Sequence, residues 1–163
     1  MIDDTADAES EYGAYFHFKP NISLGNSVIN LLLLQSEQGQ WVGVLRLRQL
    51  GGEYQLRFLT YLDDGSPVGV PDPPTYWATI GPYLNYAVIE VQWGAASAPG
   101  ASDGYIKLWV NGGLAGKLSG LDNDQKSIGK VWFGLAGGPQ GLPGVSGDYY
   151  LDDFSSWSGP APP

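Results

Sequence analysis

The side chains in this sequence best able to do chemistry are carboxylates and aromatic rings: 17 Asp and Glu stand against 8 Lys and Arg, beside 6 Trp and 10 Tyr. There is one histidine, His17, and no cysteine. The chain therefore has no thiol nucleophile, thiolate metal site or disulfide framework. A serine triad would have to use His17, and Gly144-Val145-Ser146-Gly147 has the wrong spacing for a nucleophile elbow. A formal net charge of −9 opposes nucleic-acid binding through the protein's overall field. Calcium is the metal these side chains suit, because hard oxygen ligands abound.

These residues sit in a chain of 163 residues, long enough for one sandwich core. With 24 Gly and 12 Pro, and few runs of helix formers, the composition suits short strands joined by tight turns. The longest apolar run, Ile29 to Leu34 broken only by Asn30, is far below the ~20 residues of a membrane span, so no membrane insertion is expected. Met1 is followed by Ile-Asp-Asp rather than by a basic and then an apolar stretch, so no signal peptide is read. Residues 1–10 read as an acidic N-terminal segment, 11–157 as the folded domain and 158–163 as a Pro-rich C-terminal linker.

Within 11–157 the apolar residues recur every second position. Tyr12, Ala14, Phe16 and Phe18 share one face of a strand that Pro20 should end. Ser27 to Gln35 reads as a buried strand, and in Trp41 to Arg48 the residues Trp41, Leu45 and Leu47 lie opposite Arg46 and Arg48. Gly51-Gly52 turns the chain into Glu53 to Thr60, where Tyr54, Leu56 and Phe58 oppose Gln55 and Arg57. Asp63 to Leu84 reads as a long connection carrying Tyr76, Trp77 and Tyr83. Ile89, Val91 and Trp93 then alternate with Glu90 and Gln92, and Ile106, Leu108 and Val110 with Tyr105, Lys107 and Trp109; Asn111-Gly112 marks a hairpin. Ser127 to Ala136 and Gly147 to Trp157 complete about nine strands. The predicted class is all-β, a two-sheet antiparallel sandwich.

The blocks Tyr15-Phe16-x-Phe18-x-Pro20-Asn21, Ile89-Glu90-x-x-Trp93, Asp103-Gly104-Tyr105-x-x-Leu108-Trp109-x-Asn111-Gly112, Gly120-Leu121-Asp122-Asn123-Asp124 and Gly147-x-Tyr149-Tyr150-x-Asp152-x-Phe154 resemble, in this order, the concanavalin A-like lectin/glucanase superfamily. The likeness is greatest to the laminin-G-like jelly-roll modules of bacterial extracellular proteins. It implies a jelly roll, an extracellular or cell-surface setting, and roles ranging from glycan binding to adhesion. It also implies a structural Ca²⁺ between the N-terminal segment and Asp152, with Asp3, Asp4, Asp7 or Glu9 as partner; the alternative is that these acids are merely solvated. Asp122-Asn123-Asp124 lacks the rest of a calcium loop and reads as a turn.

Glycoside hydrolases of this fold place two carboxylates on one strand face, and the stretch Glu90-Val91-Gln92-Trp93 supplies only one. Catalysis is therefore not expected. The expected function is a non-catalytic, extracellular carbohydrate-binding or adhesion module whose partner is a glycan. Its ligand-binding face would combine Arg46, Arg48, Arg57, Tyr86, Glu90, Lys107 and Trp109, because rings stack on sugars while guanidinium forks grip hydroxyls and carboxylates. The competing view of these positions is a solvated sheet whose bases pair with Glu53 and Glu90. The alternative function is a structural or self-assembly module that packs against neighbouring domains or identical copies. A polysaccharide-cleaving enzyme, with a second acid folded near Glu90, is the third.

Overall fold

Every strand strong in the sequence pattern is present, and three more join them. The computed structural model describes residues 2–71, 76–81, 86–134 and 144–159, with side chains from residue 8 onward. The strands are β1 (Ile2–Glu9), β2 (Glu11–Ser23), β3 (Val28–Gln35), β4 (Trp41–Leu50), β5 (Glu53–Tyr61), β6 (Pro67–Val70), β7 (Ala78–Gly81), β8 (Ala87–Gly94), β9 (Gly104–Val110), β10 (Gly113–Leu121), β11 (Ile128–Phe133) and β12 (Ser146–Ser158). They form two antiparallel sheets. One has seven strands in the order β1-β11-β3-β4-β5-β6, with β7 also on β5; the other has five, in the order β10-β9-β8-β2-β12. No helix occurs among the described residues, and none is long and apolar enough to cross a membrane.

Alternation builds the core. Phe16, Phe18, Ile89, Val91, Trp93, Ile106 and Leu108 of the five-stranded sheet meet Leu45, Leu47, Leu56 and Phe58 of the other in one buried cluster. Phe133 and Phe154 close its edge half-buried, their ring centroids 4.2 Å apart. Two buried hydrogen bonds tie the sheets together: Trp93 Nε1 donates to Thr60 Oγ1 at 2.9 Å, and Tyr54 Oη donates to the Ile22 carbonyl at 2.6 Å. Each satisfies a polar group that would cost stability if it were buried alone.

Four sequence expectations are modified. Pro20 does not end β2, because beyond Phe18 the strand keeps a neighbour only in β12, and an edge tolerates a residue without an N–H. Trp41 does not join Leu45 and Leu47. The pairs Leu34↔Gly43 and Gln35↔Trp41 leave an extra residue in β4, which turns Trp41 outward against Tyr61. The stretch Asp63 to Leu84 holds β6 and β7, and Tyr83 lies outside the described residues. Ile2–Glu9, within the acidic segment, runs as β1 along β11.

Candidate functional site

The outer face of the five-stranded sheet collects the groups capable of acid–base chemistry. In β2 the residues between Tyr12, Ala14, Phe16 and Phe18 are Gly13, Tyr15 and His17, and they point away from the core. Tyr15 Oη lies 2.8 Å from His17 Nε2, and His17 Nδ1 lies 3.1 Å from an Asp153 carboxylate oxygen. A carboxylate only accepts, so Nδ1 carries the proton facing Asp153. In the neutral ring Nε2 is then the acceptor, and Tyr15 donates to it.

Asp153 reaches His17 because of a bulge. Asp152 pairs with His17 and Ser155 with Tyr15, so β12 spends an extra residue between them. Asp153 takes a φ of 51°, a left-handed conformation that Asp tolerates better than most residues. The bulge leaves Asp152 and Asp153 both exposed on the outer side while Phe154 turns inward onto Phe133.

Beside this triad runs a second polar chain. Gln92, buried although it faces outward, donates from Nε2 to Glu90 Oε1 at 3.0 Å and accepts from Lys107 Nζ at 3.2 Å. Glu90 thus holds a neighbouring amide and makes no ion pair among the described residues. Tyr15 is directly opposite Glu90, and Glu90 opposite Trp109; Gln92 is opposite Lys107, and Lys107 opposite Lys117. The Lys107 ammonium sits 4.8 Å from the Tyr105 ring centroid and 5.7 Å from that of Trp109. Burial, helped by the charge of Glu11, raises the Tyr105 phenol above its usual range and keeps it protonated. Glycines make floor space here. A side chain at Gly13 would collide with the Trp157 indole, and one at Gly94 with the Tyr105 ring. Tyr86 is exposed at the end of this face, with the Lys19 ammonium 5.6 Å from its ring centroid.

The seven residues expected to form one ligand face are divided. Tyr86, Glu90, Lys107 and Trp109 lie on the outer side of the five-stranded sheet, whereas Arg46, Arg48 and Arg57 lie on that of the seven-stranded sheet, with the core between them. Alternation separates core from non-core sides without saying to which sheet a strand belongs. Asp152 is exposed and accepts the Asp153 amide at 2.9 Å; no group of acids closes around it among the described residues. Of its expected partners, the side chains of Asp3, Asp4 and Asp7 lie outside the described residues, and Glu9 forms no group of acids with it among the described residues.

A different acidic group is brought together elsewhere. Oxygens of Asp63, Asp122 and Asp124 lie within 4.8 Å of one another, where the turn after β10 meets the chain after β5. The Asp63 amide donates to the Asp122 carbonyl, and the Asp63 carboxylate accepts from the Gln125 amide at 3.2 Å. The sequence reading of Asp122-Asn123-Asp124 as a turn omitted the acid that faces it from 60 residues away in the chain, roughly, since local spacing carries no such contact.

With this geometry in view, the fold can be compared with known proteins. No family model matches the chain, and no curated protein aligns with it significantly. Solved structures do match, and the chain has the concanavalin A-like jelly-roll fold. A heptameric SAP-like pentraxin from Limulus polyphemus aligns with a TM-score of 0.60 at 14% identity, over 96% of this chain and 67% of that one. An endo-β-1,4-glucuronan lyase from the fungus Trichoderma reesei aligns with a TM-score of 0.62 at 13% identity, over 97% and 73%. An alginate lyase from a Chlorella virus aligns with a TM-score of 0.56 at 14% identity, over 94% and 73%.

These matches correct two expectations, the non-catalytic binding or assembly module and the absence of enzymatic activity: several of the aligned structures are polysaccharide lyases. A pair of carboxylates is the requirement of glycoside hydrolysis, whereas elimination needs only a base and an acid, roles open to other side chains.

The acidic triad generates a pH prediction. Burial, with the charges of Asp124 and Asp122, holds the Asp63 carboxyl above its usual range despite the Gln125 amide. A raised folded-state pKa stabilises the fold below the unfolded value, and that contribution is lost as the pH rises through the folded value. Asp63→Asn should therefore raise the melting temperature at pH 7 without added metal, and the gain should vanish in acid below the carboxylate range. Thermal melts across pH read both ends of that window.

Proposed function

We propose that this protein is a polysaccharide lyase that cleaves a uronic-acid polymer by β-elimination, with Tyr15 and His17 moving the proton. The observation that carries this reading is the Tyr15–His17–Asp153 chain, at 2.8 and 3.1 Å, on an open sheet face beside Gln92 and Lys107. Alginate and glucuronan, named for the aligned lyases, are both polymers of uronic acids, which agrees with this reading.

The chemistry needs three things. The sugar carboxylate must be neutralised so that the proton on C5 becomes acidic, a base must take that proton, and an acid must protonate the departing oxygen on C4. Lys107 and the Gln92 amide supply positive charge and a donor for the carboxylate. Tyr15 and Gln92 are diagonal cross-strand neighbours, roughly 7–8 Å apart, a gap that a single sugar ring fills. Tyr15 Oη takes the C5 proton as its own proton passes to His17 Nε2, and Asp153 stabilises the resulting imidazolium. The C5–H electron pair becomes the C4=C5 double bond as the C4–O bond breaks. The departing oxygen receives its proton from Tyr15, which recovers its own from His17. No water is consumed. Trp109, Tyr86 and Trp157 offer rings for neighbouring sugars to stack on. A polysaccharide substrate agrees with a setting outside the cell or on its surface.

Incubation with glucuronan, alginate and polygalacturonate, followed by ultraviolet absorbance of the unsaturated product, tests this. Tyr15→Phe and His17→Ala should each lower turnover by about 10²–10⁴-fold. Absence of unsaturated product from every polymer, or variants that turn over like the wild type, would overturn the reading.

We further infer that the structural calcium suits Asp63, Asp122 and Asp124 rather than Asp152. Three hard oxygens within 4.8 Å match the span of a Ca²⁺ shell, and an ion there would offset the burial, and with it the like charges of Asp124 and Asp122, that raise the Asp63 pKa. It would also clamp the β10–β11 turn to the chain after β5. Calcium should raise the melting temperature of the wild type and leave that of Asp63→Asn unchanged; equal melts in calcium and in chelator would remove the ion.

A further inference from the structure

The chain has three arginines, and all three lie together on the outer face of the seven-stranded sheet. Arg46 is directly opposite Arg57, an arrangement that destabilises a sheet, and Arg48 is two residues along β4, roughly 7 Å away. In a chain of net charge −9 such a cluster would be expected to collect acids, yet none of the three makes an ion pair among the described residues. Glu53, on the same side of β5, pairs with none of them. Arg48 is held in place: Nε donates to Gln55 Oε1 at 2.8 Å, and the guanidinium stacks 4.3 Å from the Trp77 ring centroid. Arg57 lies over Gly69 of β6, where a Cβ would come within 3.2 Å of its Nε. That Nε is shielded from solvent and has no hydrogen-bond partner among the described residues. Burial, with Arg46 and Arg48 beside it, lowers the Arg57 pKa, the signature of a cation short of counter-charge.

We propose that Arg46, Arg48 and Arg57 form a second binding surface, remote from the elimination site, that holds the carboxylates of a uronate polysaccharide chain. Two opposed guanidinium forks clamp one oxyanion, and the Arg48–Trp77 stack presents a third fork and a ring edge to the next sugar. Repulsion between Arg46 and Arg57 weakens the empty sheet and is relieved by a bound carboxylate. The surface goes beyond the catalytic reading and stands without it. With both in place, one face would hold the polymer while the other cuts it.

Affinity electrophoresis through gels containing alginate, dextran sulfate or neutral dextran tests this, with every protein carrying His17→Ala so that the polymer stays intact. If the catalytic reading is wrong, His17→Ala is merely neutral and binding is still measured. Alginate should retard the protein, salt should abolish the retardation, and dextran should have no effect. Arg46→Gln with Arg57→Gln should weaken alginate binding at least tenfold and should melt no lower than its parent, because a like-charge pair is removed. In a background with His17 intact, the same double change should leave turnover of short uronate oligosaccharides unchanged. Arg57→Lys, which keeps the charge and loses the fork, should weaken alginate binding by an intermediate factor and serves if the double variant fails to fold. Retardation by dextran sulfate alone, or unchanged alginate retardation in both variants, would overturn the assignment.

Discussion

The extra residue in β12 decides both what the site contains and how the core closes. A regular pairing of β12 with β2 would send alternate residues to opposite sides and could not place Asp152 and Asp153 together outside while Phe154 points in. The bulge does so, at the cost of a left-handed φ at a non-glycine residue. Its inward product is the Phe154–Phe133 contact, which continues to Phe16 at 4.8 Å. Its outward product is the carboxylate on His17. Core packing on one side therefore holds the orientation of the acid–base chain on the other, because Phe16 and His17 are successive residues of one strand.

Placement of polar groups follows the same logic across the sheet. Trp93 is anchored to Thr60 through the core, and its neighbour Gln92 faces outward in register with Lys107. Gly94 and Gly13 leave room for Tyr105 and Trp157 to lie on the outer surface, so Gln92 is buried without entering the core. A buried amide that accepts from Lys107 and donates one of its two N–H groups to Glu90 is oriented before any substrate arrives, with the second N–H left for the substrate. Such a group is preorganised, which is the arrangement that lets an electrostatic contact act at the moment of reaction.

Much of this was legible in the sequence. The alternation of Tyr12, Ala14, Phe16 and Phe18 gave the inner face of β2 and, by subtraction, put Tyr15 and His17 outside. The turns at Gly51-Gly52 and Asn111-Gly112 follow from residues that accept positive φ, which they adopt. The bulges are not legible, since one extra residue changes no local composition; hence alternation alone puts Trp41 in the core and does not bring Asp153 to His17. Nor does alternation assign strands to sheets, so Arg57 and Lys107 read as neighbours although the whole core separates them. The serine pattern says nothing of His17's tyrosine neighbour; the signal for the pair is a tyrosine two residues from a histidine on one strand face.

The account depends on His17 receiving a proton from Tyr15 while Asp153 holds the other side of the ring. Because His17 is the only histidine, its two ring nitrogens give isolated signals in a long-range ¹H–¹⁵N correlation spectrum. When the ring is neutral its proton should sit on Nδ1, Nε2 should be shifted by the Tyr15 hydrogen bond, and that shift should be lost in Tyr15→Phe. A ring protonated at Nε2, or Nε2 signals unchanged by Tyr15→Phe, would contradict it.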